Sequence, residues 1–203
     1  GTAGLTAALS VRELVVSGVN RQKGPILVTG ATGGVGSLAV AMLATVGFEV
    51  VAVTGKMDQE DYLKGLGAER ILSRETLLTG KNRQMLKPTW AGVIDCVGGE
   101  MLAAAIKSAK YDGVVTCCGL VGSSELPVEI FPFILRGVRL IGIDSMECPM
   151  KRRAALWQKL ASGCKLQQLA TMVEEVTLEG LEEKIDAILK GQLQRRVLVN
   201  LLD

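Results

Sequence analysis

The glycine-rich segment ILVTGATGGVGSLAV, residues 26–40, constrains the fold of this chain more than any other part of its sequence. β-Branched residues precede its glycines and alanine-rich sequence follows them, which predicts a strand, a tight turn and a helix in succession. A tight turn, a close approach of backbone to a diphosphate and close packing of helix on strand all exclude side chains, and the start of a helix attracts anions. The segment therefore predicts a dinucleotide-binding turn, with glycines at Gly30, Gly33, Gly34 and Gly36.

Short apolar runs alternate with helical patterns along the first 150 residues. Strands are predicted at 26–29, 50–53, 70–72, 92–96, 114–118 and 138–143. Helices are predicted at 2–16, 35–46, 59–66 and 101–110, the first with Thr2 as its N-cap and Gly18 as its C-terminal stop. Such an alternation is typical of a parallel sheet covered on both faces, and it predicts a doubly wound α/β architecture, the Rossmann fold.

The pattern changes after Pro149. A charged helix is predicted at 151–160, a polar strand at 172–177, a second helix at 181–189 and a closing strand at 196–201. We therefore expect a dinucleotide-binding domain over residues 1–150. Residues 151–203 are expected to complete that domain and to return toward a different part of the protein.

Two glycine patterns can be compared with the turn. The strict G-x-G-x-x-G pattern fails because Ala31 occupies its first position, whereas T-G-x-x-x-G-x-G, typical of short-chain dehydrogenases, is met. Short-chain dehydrogenases also need a Tyr-x-x-x-Lys pair, in which the lysine lowers the pKa of the phenol. Tyr62 is followed four residues later by Leu66, and Tyr111 by Val115, so the short-chain interpretation is weak.

The end of the second predicted strand indicates which dinucleotide is favoured. An NAD site places Asp or Glu there to bind the ribose 2′-hydroxyl, but this chain has Thr54, Gly55 and Lys56. A hydroxyl and an ammonium group bind a 2′-phosphate, which a carboxylate would repel. Arg74, after the third strand, supplies a second cation, so NADPH is favoured. Asp58 keeps NAD as an alternative. If no nucleotide binds, Lys56 and Arg74 would be ordinary surface charges.

Composition excludes several kinds of partner. The 23 basic and 21 acidic residues leave no charge excess of the kind that binds nucleic acid or an anionic membrane. No apolar run has the roughly 18 residues of a membrane span, and no histidine is present to bind zinc or transfer protons. The odd set of cysteines lacks C-x-x-C spacing, which favours free thiols in the cytoplasm: Cys96, Cys117, Cys118, Cys148 and Cys164.

Six stretches together resemble one family. GTAGLTAAL, VTGATGGVGSLAV, YLKGLGAERIL, GVIDCVGG, GVVTCCGL and RRVLVNL are similar to the cofactor domain of the medium-chain dehydrogenase/reductase superfamily, in its zinc-free branch of quinone-reductase-like proteins. The stretch LPVEIFPFILRGVRLIGIDS, followed by RRAALWQKL, resembles the acrylyl-coenzyme A reductase group within that branch. The resemblance implies hydride transfer from NADPH to an activated carbon–carbon double bond in an enoyl thioester or enone, or to a quinone.

The resemblance also implies roles for individual residues. Thr32, Gly33, Gly34 and Val35 would hold the pyrophosphate, and Thr54, Lys56 and Arg74 the 2′-phosphate. Leu120, Ile134 and Ser145 would lie along the nicotinamide, and Arg196 would close the site. The alternatives are core packing for Leu120 and Ile134, a strand-end cap for Ser145 and an exposed strand charge for Arg196. A further alternative is that Arg195, rather than Arg196, closes the site. No residue qualifies as the catalytic acid.

Three expectations concern the whole protein. Relatives in this family carry an N-terminal catalytic domain, which this sequence lacks, so NADP binding without turnover is one alternative. An enoyl-reductase module of a larger synthase is another. The apolar strand at 138–143 is expected to be the open edge of the sheet, where pairing with a second copy would give a homodimer.

Overall fold

The computed structural model describes residues 1–162, 166–193 and 195–201, and its centre is a six-stranded sheet. Its strands are β1 (Ile26–Val28), β2 (Val50–Thr54), β3 (Arg70–Ser73), β4 (Trp90–Asp95), β5 (Ala109–Cys117) and β6 (Arg139–Gly142). All neighbours are parallel, in the order β3-β2-β1-β4-β5-β6. The predicted doubly wound sheet is confirmed, and the order reverses between β1 and β4, where ligands of such sheets bind.

Helices cover both faces of this sheet. They are α1 (Thr2–Val16), α2 (Gly36–Thr45), α3 (Glu60–Gly65), α4 (Arg74–Leu77), α5 (Gly99–Lys107) and α6 (Phe131–Arg136). Successive strand residues point to opposite faces. Ile26 and Val28 therefore pack in the core beneath α1 and α2, while Leu27 between them packs in the core beneath α5. The central strands β1, β2 and β4 are therefore buried on both faces, as their apolar sequences predict.

Two details of the predicted elements are wrong. Thr2 does not cap α1, because the helix begins at Thr2 and Gly1 precedes it, with the Gly1 carbonyl accepting from the N–H of Leu5. The predicted helix 101–110 ends early, at Lys107, because the Ser108 hydroxyl bonds back to the carbonyl of Ala104 and the chain then enters β5. The stop at Gly18 is confirmed by its positive φ of 88°.

The remaining described residues form a smaller layer. It consists of α7 (Met150–Ser162), a 3₁₀ helix (Gln167–Met172), β7 (Val173–Val176), α8 (Leu181–Leu189) and β8 (Arg196–Val199). Two further 3₁₀ helices lie earlier in the chain, at Arg21–Lys23 and Met57–Gln59. β7 and β8 pair in parallel as a separate two-stranded sheet, and Trp157 of α7 packs on Gly4 of α1. The four elements predicted after Pro149 are confirmed. The division into domains at residue 150 stays a prediction.

Within the described ranges, no helix is both long enough and apolar enough to cross a bilayer. Four of the five cysteines lie in the described part and are free thiols, while Cys164 falls outside it.

Candidate functional site

The glycine turn joins β1 to α2 at the switch point of the sheet. Gly30 has a φ of 59°, and its carbonyl accepts a hydrogen bond from the N–H of Gly33 at 2.9 Å. A Cβ atom on Gly36 would overlap the Gly30 carbonyl and the Ala31 Cα, so α2 begins in direct contact with the turn. The absence of side chains at these positions is what allows the helix to start so close to the strand.

Backbone donors converge at the start of α2. In the part of the chain that the structure describes, the N–H groups of Thr32, Gly34 and Val35 have no hydrogen-bond acceptor. They lie at the positive end of the helix dipole, where backbone amides bind phosphate. The turn therefore has the geometry of an anion-binding site, and a side chain at Gly34 would occupy part of it.

Two adjacent arginines of the C-terminal layer point to different neighbours, and one of them reaches this turn. The guanidinium of Arg196, the first residue of β8, lies where a Cβ atom on Gly34 would be placed. The guanidinium of Arg195 instead lies 5.6 Å from the centre of the Tyr62 ring, in cation–π contact. Burial raises the pKa of Tyr62, so its phenol is a poor source of protons near neutral pH. Of the two arginines, Arg196 is the one beside the predicted pyrophosphate.

A second polar pocket lies at the end of β2. The buried Thr54 hydroxyl accepts a hydrogen bond from the Lys56 N–H at 2.9 Å and lies 3.4 Å from the Thr32 hydroxyl. The Arg74 guanidinium packs across Gly55, where a Cβ atom would be only 2.7 Å from its Cζ. The Lys56 ammonium donates to the Leu193 carbonyl at 2.8 Å. The three residues predicted from sequence to bind a 2′-phosphate are thus neighbours.

The charge balance of this pocket favours an anion. Partial burial lowers the pKa of Lys56, and the nearby Arg74 guanidinium lowers it further, while Asp58 acts in the opposite direction. Burial and the neighbouring guanidinium both disfavour the charged form of Lys56. A phosphate dianion would interact favourably with Lys56 and Arg74 together.

The buried carboxylate of Asp95 connects the glycine turn to the end of β4. Asp95, at the end of β4, accepts from the Thr29 hydroxyl at 2.6 Å and from the N–H of Gly98 at 2.8 Å. The Thr29 hydroxyl in turn accepts from the Cys96 N–H at 3.1 Å. Burial raises the pKa of Asp95, and these hydrogen bonds oppose that effect. Asp95 therefore ties the ends of β1 and β4 together. Asp95 lies in the stretch GVIDCVGG, whose sequence does not indicate this role.

The three residues predicted to lie along the nicotinamide come from different segments of the chain. Leu120 lies beside Gly98 at the end of β5, and the Ser145 hydroxyl lies 2.9 Å from that of Thr6, just after β6. Ile134 lies in α6, two residues before Arg136, which donates to the carbonyl of Ala109 at the opposite end of β5. Ile134 is 69% exposed, and its contact with the nicotinamide stays a prediction.

No group of three or more His, Cys, Asp or Glu side chains is arranged to bind a metal ion within the described residues. The expectation of a zinc-independent site is not tested further by this observation.

The strand order and the glycine turn define a nucleotide-binding domain of the Rossmann class. The family model described as "Zinc-binding dehydrogenase" matches residues 34–162. The chain belongs to this family, within the medium-chain dehydrogenase/reductase superfamily, as its sequence resemblance indicated.

Three relatives are similar over almost the whole chain. The acrylyl-CoA reductase AcuI of Ruegeria pomeroyi is 44% identical, over 98% of this chain and 61% of its own length. The yhdH oxidoreductase of Salmonella enterica, solved in complex with NADP, is 45% identical with a TM-score of 0.93, over 99% of this chain and 61% of that one. The Bacillus subtilis protein yhfP, solved with NAD bound, is 48% identical with the same TM-score and the same coverage. The chain thus spans about three fifths of each relative.

Proposed function

We propose that this chain is the NADPH-binding part of a reductase that acts on an activated carbon–carbon double bond, such as that of acrylyl-CoA, or on a quinone. The observation that carries the proposal is the pocket at the end of β2, where Lys56 and Arg74 take the place of the acidic residue of an NAD site. The names of the relatives support it, since one is an acrylyl-CoA reductase and YhfP is provisionally named a quinone oxidoreductase.

The residues fit the two charged parts of the dinucleotide. The free amides of Thr32, Gly34 and Val35, with Gly33 leaving space, would hold the pyrophosphate, and the Arg196 guanidinium would cover it. Thr54, Lys56 and Arg74 would hold the 2′-phosphate. The complex of yhfP with NAD keeps NADH as the competing cofactor, and Asp58 is the acidic residue nearest to the required position.

Bound NADPH would supply the hydride, and this chain would orient it. Leu120, Ile134 and Ser145 are the proposed contacts of the nicotinamide, and Leu120 at the end of β5 would exclude water from one side of it. Asp95 connects the turns that follow β1 and β4, which would keep the proposed pyrophosphate site in a fixed position relative to the nicotinamide. No proton donor is assigned within this chain.

Binding without turnover is the second candidate for the 203-residue chain alone. In this candidate the described residues bind the dinucleotide, and reduction of a substrate would need the part of such relatives that this chain does not match. We propose with it a division into residues 1–150, which bind the dinucleotide, and residues 151–203, which would contact the unmatched part of such relatives. Oxidation of NADPH on addition of acrylyl-CoA would support the enzyme, and binding without oxidation would support the module.

We also propose that the protein is cytoplasmic and forms a homodimer through β6. β6 is the edge strand of the sheet, and Arg139 and Gly142 at its two ends are exposed. The free thiols of the described cysteines agree with a reducing compartment. Light scattering should give twice the mass of the chain. Because the Ile143 N–H donates to β5, the N–H of Gly142 faces away from β5, and replacing Gly142 by proline should remove an edge donor and shift the mass toward the monomer.

Cofactor titration tests the proposal directly. With Lys56→Glu, the Kd for NADPH should rise by about tenfold to a hundredfold, because a charged hydrogen bond of about 1.5–3 kcal/mol is lost and replaced by repulsion. The Kd for NADH should change little. Lys87→Glu, an exposed lysine outside the pocket, is the matched control. Equal effects on the two nucleotides would refute the 2′-phosphate site.

A further inference from the structure

Two thiols lie in contact beneath the glycine turn. Cys96 directly follows β4 and Cys118 directly follows β5, and their sulfur atoms are 3.8 Å apart. The preceding residues, Asp95 and Cys117, are paired in the register of these strands. Neighbouring strands are about 4.8 Å apart, which lies within the Cα separation of about 4.4–6.8 Å that a disulfide requires. Neither thiol has an assigned role in the proposed function.

We propose that Cys96 and Cys118 form a reversible disulfide when the protein meets a peroxide, and that this bond weakens dinucleotide binding. The disulfide itself is independent of the proposed function, whereas its effect on affinity rests on the proposed NADPH site. The third neighbouring thiol does not take part, because successive residues of a strand point to opposite faces. Cys117 accordingly packs in the core on the other side of the sheet from Cys96.

The chemistry requires one thiolate and one resolving thiol. Hydrogen bonding with Cys96 lowers the pKa of the Cys118 thiol and raises that of Cys96, so Cys118 ionises first. The Cys118 thiolate attacks one oxygen of hydrogen peroxide, the O–O bond breaks, and a sulfenic acid and one water are formed. The Cys96 sulfur then attacks the Cys118 sulfur, the S–O bond breaks, and a second water leaves with the remaining proton. The two thiols lose two electrons, which reduce the peroxide to two waters.

Cys96 links this pair to the glycine turn. Its N–H donates to the Thr29 hydroxyl, and a Cβ atom on Gly30 would lie 3.4 Å from its own Cβ. On the other side, Gly119 lies against the Cys96 backbone so closely that it has no room for a Cβ atom. A disulfide brings the sulfur atoms from 3.8 Å to about 2.05 Å. Because Cys96 is packed between Gly30 and Gly119, this movement displaces the turns on which the dinucleotide would lie.

Peroxide treatment of the full chain tests the proposal in two independent measurements. After treatment and alkylation of the remaining thiols, peptide mapping without reductant should show the Cys96 peptide joined to the Cys118 peptide. NADPH titration of the same sample should show a Kd at least about fivefold higher, the lower range of typical coupling between sites, and dithiothreitol should restore it. Reciprocally, NADPH added before the peroxide should slow formation of the linkage.

Variants of the three thiols supply the controls. Cys117→Ser should respond to peroxide as the parent chain does, while Cys118→Ser should form no linkage and keep its NADPH affinity after treatment. Absence of the linkage in the parent chain overturns the proposal without any variant. A linkage that leaves the Kd unchanged overturns the coupling. Failure of the reduced chain to bind NADPH overturns the proposed function, and peptide mapping still decides whether the disulfide forms.

Discussion

The six-stranded sheet and the C-terminal layer differ in how they are built. In the sheet, every residue of β1, β2 and β4 is buried, whereas Leu156, Leu166 and Met172 are the buried residues among those described after residue 149. Helix α8 buries none of its residues, and Leu189 at its end is 80% exposed. Yet this layer supplies the Arg196 guanidinium and the carbonyl that binds Lys56. The sheet gives the site its shape, and the outer layer adds charge to it.

A groove marks the boundary between the two regions. It has a volume of about 640 Å³ and lies between α1 and α2 on one side and α7 and β7 on the other. Apolar side chains such as Met42 and Leu169 line it, and Arg196 stands at its edge. Part of the C-terminal layer is therefore separated from α1 and α2 by open space, and changes within the layer should affect binding more than stability.

The largest expected difference is in the free energy of unfolding. Leu27→Ala, at a fully buried position of β1, should lower it by about 2–5 kcal/mol because a cavity remains in the core. Leu189→Ala, at the exposed end of α8, should change it by less than about 0.5 kcal/mol. Urea denaturation of both variants measures the contrast. Similar losses in the two variants would show that the C-terminal layer is as much a part of the core as the sheet.

The glycine turn should give the next largest effect. Gly36→Val places a side chain against the Gly30 carbonyl, which should cost about 1–3 kcal/mol through overpacking and remove measurable NADPH binding. Gly65→Ala is the matched control, since that helical glycine has no neighbour within 4 Å and the change should stabilise α3 by about 0.5–1 kcal/mol. Thermal unfolding and NADPH titration measure both variants. Retained NADPH binding in Gly36→Val would mean that the turn is not the cofactor site.

Arg196, in the C-terminal layer, should affect NADPH binding but not stability. Arg196→Ala should raise the Kd for NADPH by about tenfold, equivalent to about 1.4 kcal/mol, because a charged contact with the pyrophosphate is lost. Its free energy of unfolding should stay within about 0.5 kcal/mol of the parent value, since Arg196 is exposed. Arg152→Ala, an exposed arginine of α7, is the control. A loss of stability without a loss of affinity would reverse the roles given to the two regions.

The smallest effect expected is a dependence of stability on pH. Because burial raises the pKa of Asp95 in the folded chain, the folded state holds its proton more tightly than the unfolded state does. The resulting stabilisation is fully present below the unfolded pKa of about 3.9 and is lost as pH rises through the higher folded value. Asp95→Asn should remove this contribution. The unfolding free energy of the parent minus that of the variant should therefore decrease as pH rises over that range. A difference that does not vary with pH would contradict the assignment.

Much of the fold could be predicted because local patterns determine it. The apolar strands and the glycine turn are each specified by neighbouring residues, and the predicted α8, 181–189, agrees with the structure at both ends. Helix α6 was missed because its residues, FPFILR, show no amphipathic period over so short a length. Helix α4 was missed for a similar reason, since its four residues follow β3 directly and are marked only by the capping hydroxyl of Ser73.

The site could be predicted only in part because some of its contacts join distant segments. The positions of Lys56 and Arg74 follow from strand ends, which a sequence reveals. The role of Asp95 depends on the hydrogen bond from Thr29, 66 residues away, and the contact of Cys96 with Cys118 depends on strand register. Arg196 rather than Arg195 reaches the turn, and the backbone at Arg195 has a positive φ of 61°. Such a conformation is uncommon for residues other than glycine and is not predicted by the sequence.

A crystal structure of the chain with NADPH would show directly whether the amides of the glycine turn bind the pyrophosphate. We expect phosphate oxygens at about 2.7–3.2 Å from the N–H nitrogens of Gly34 and Val35, with the 2′-phosphate between Lys56 and Arg74. A nucleotide bound elsewhere, with those amides facing only solvent or protein, would contradict it.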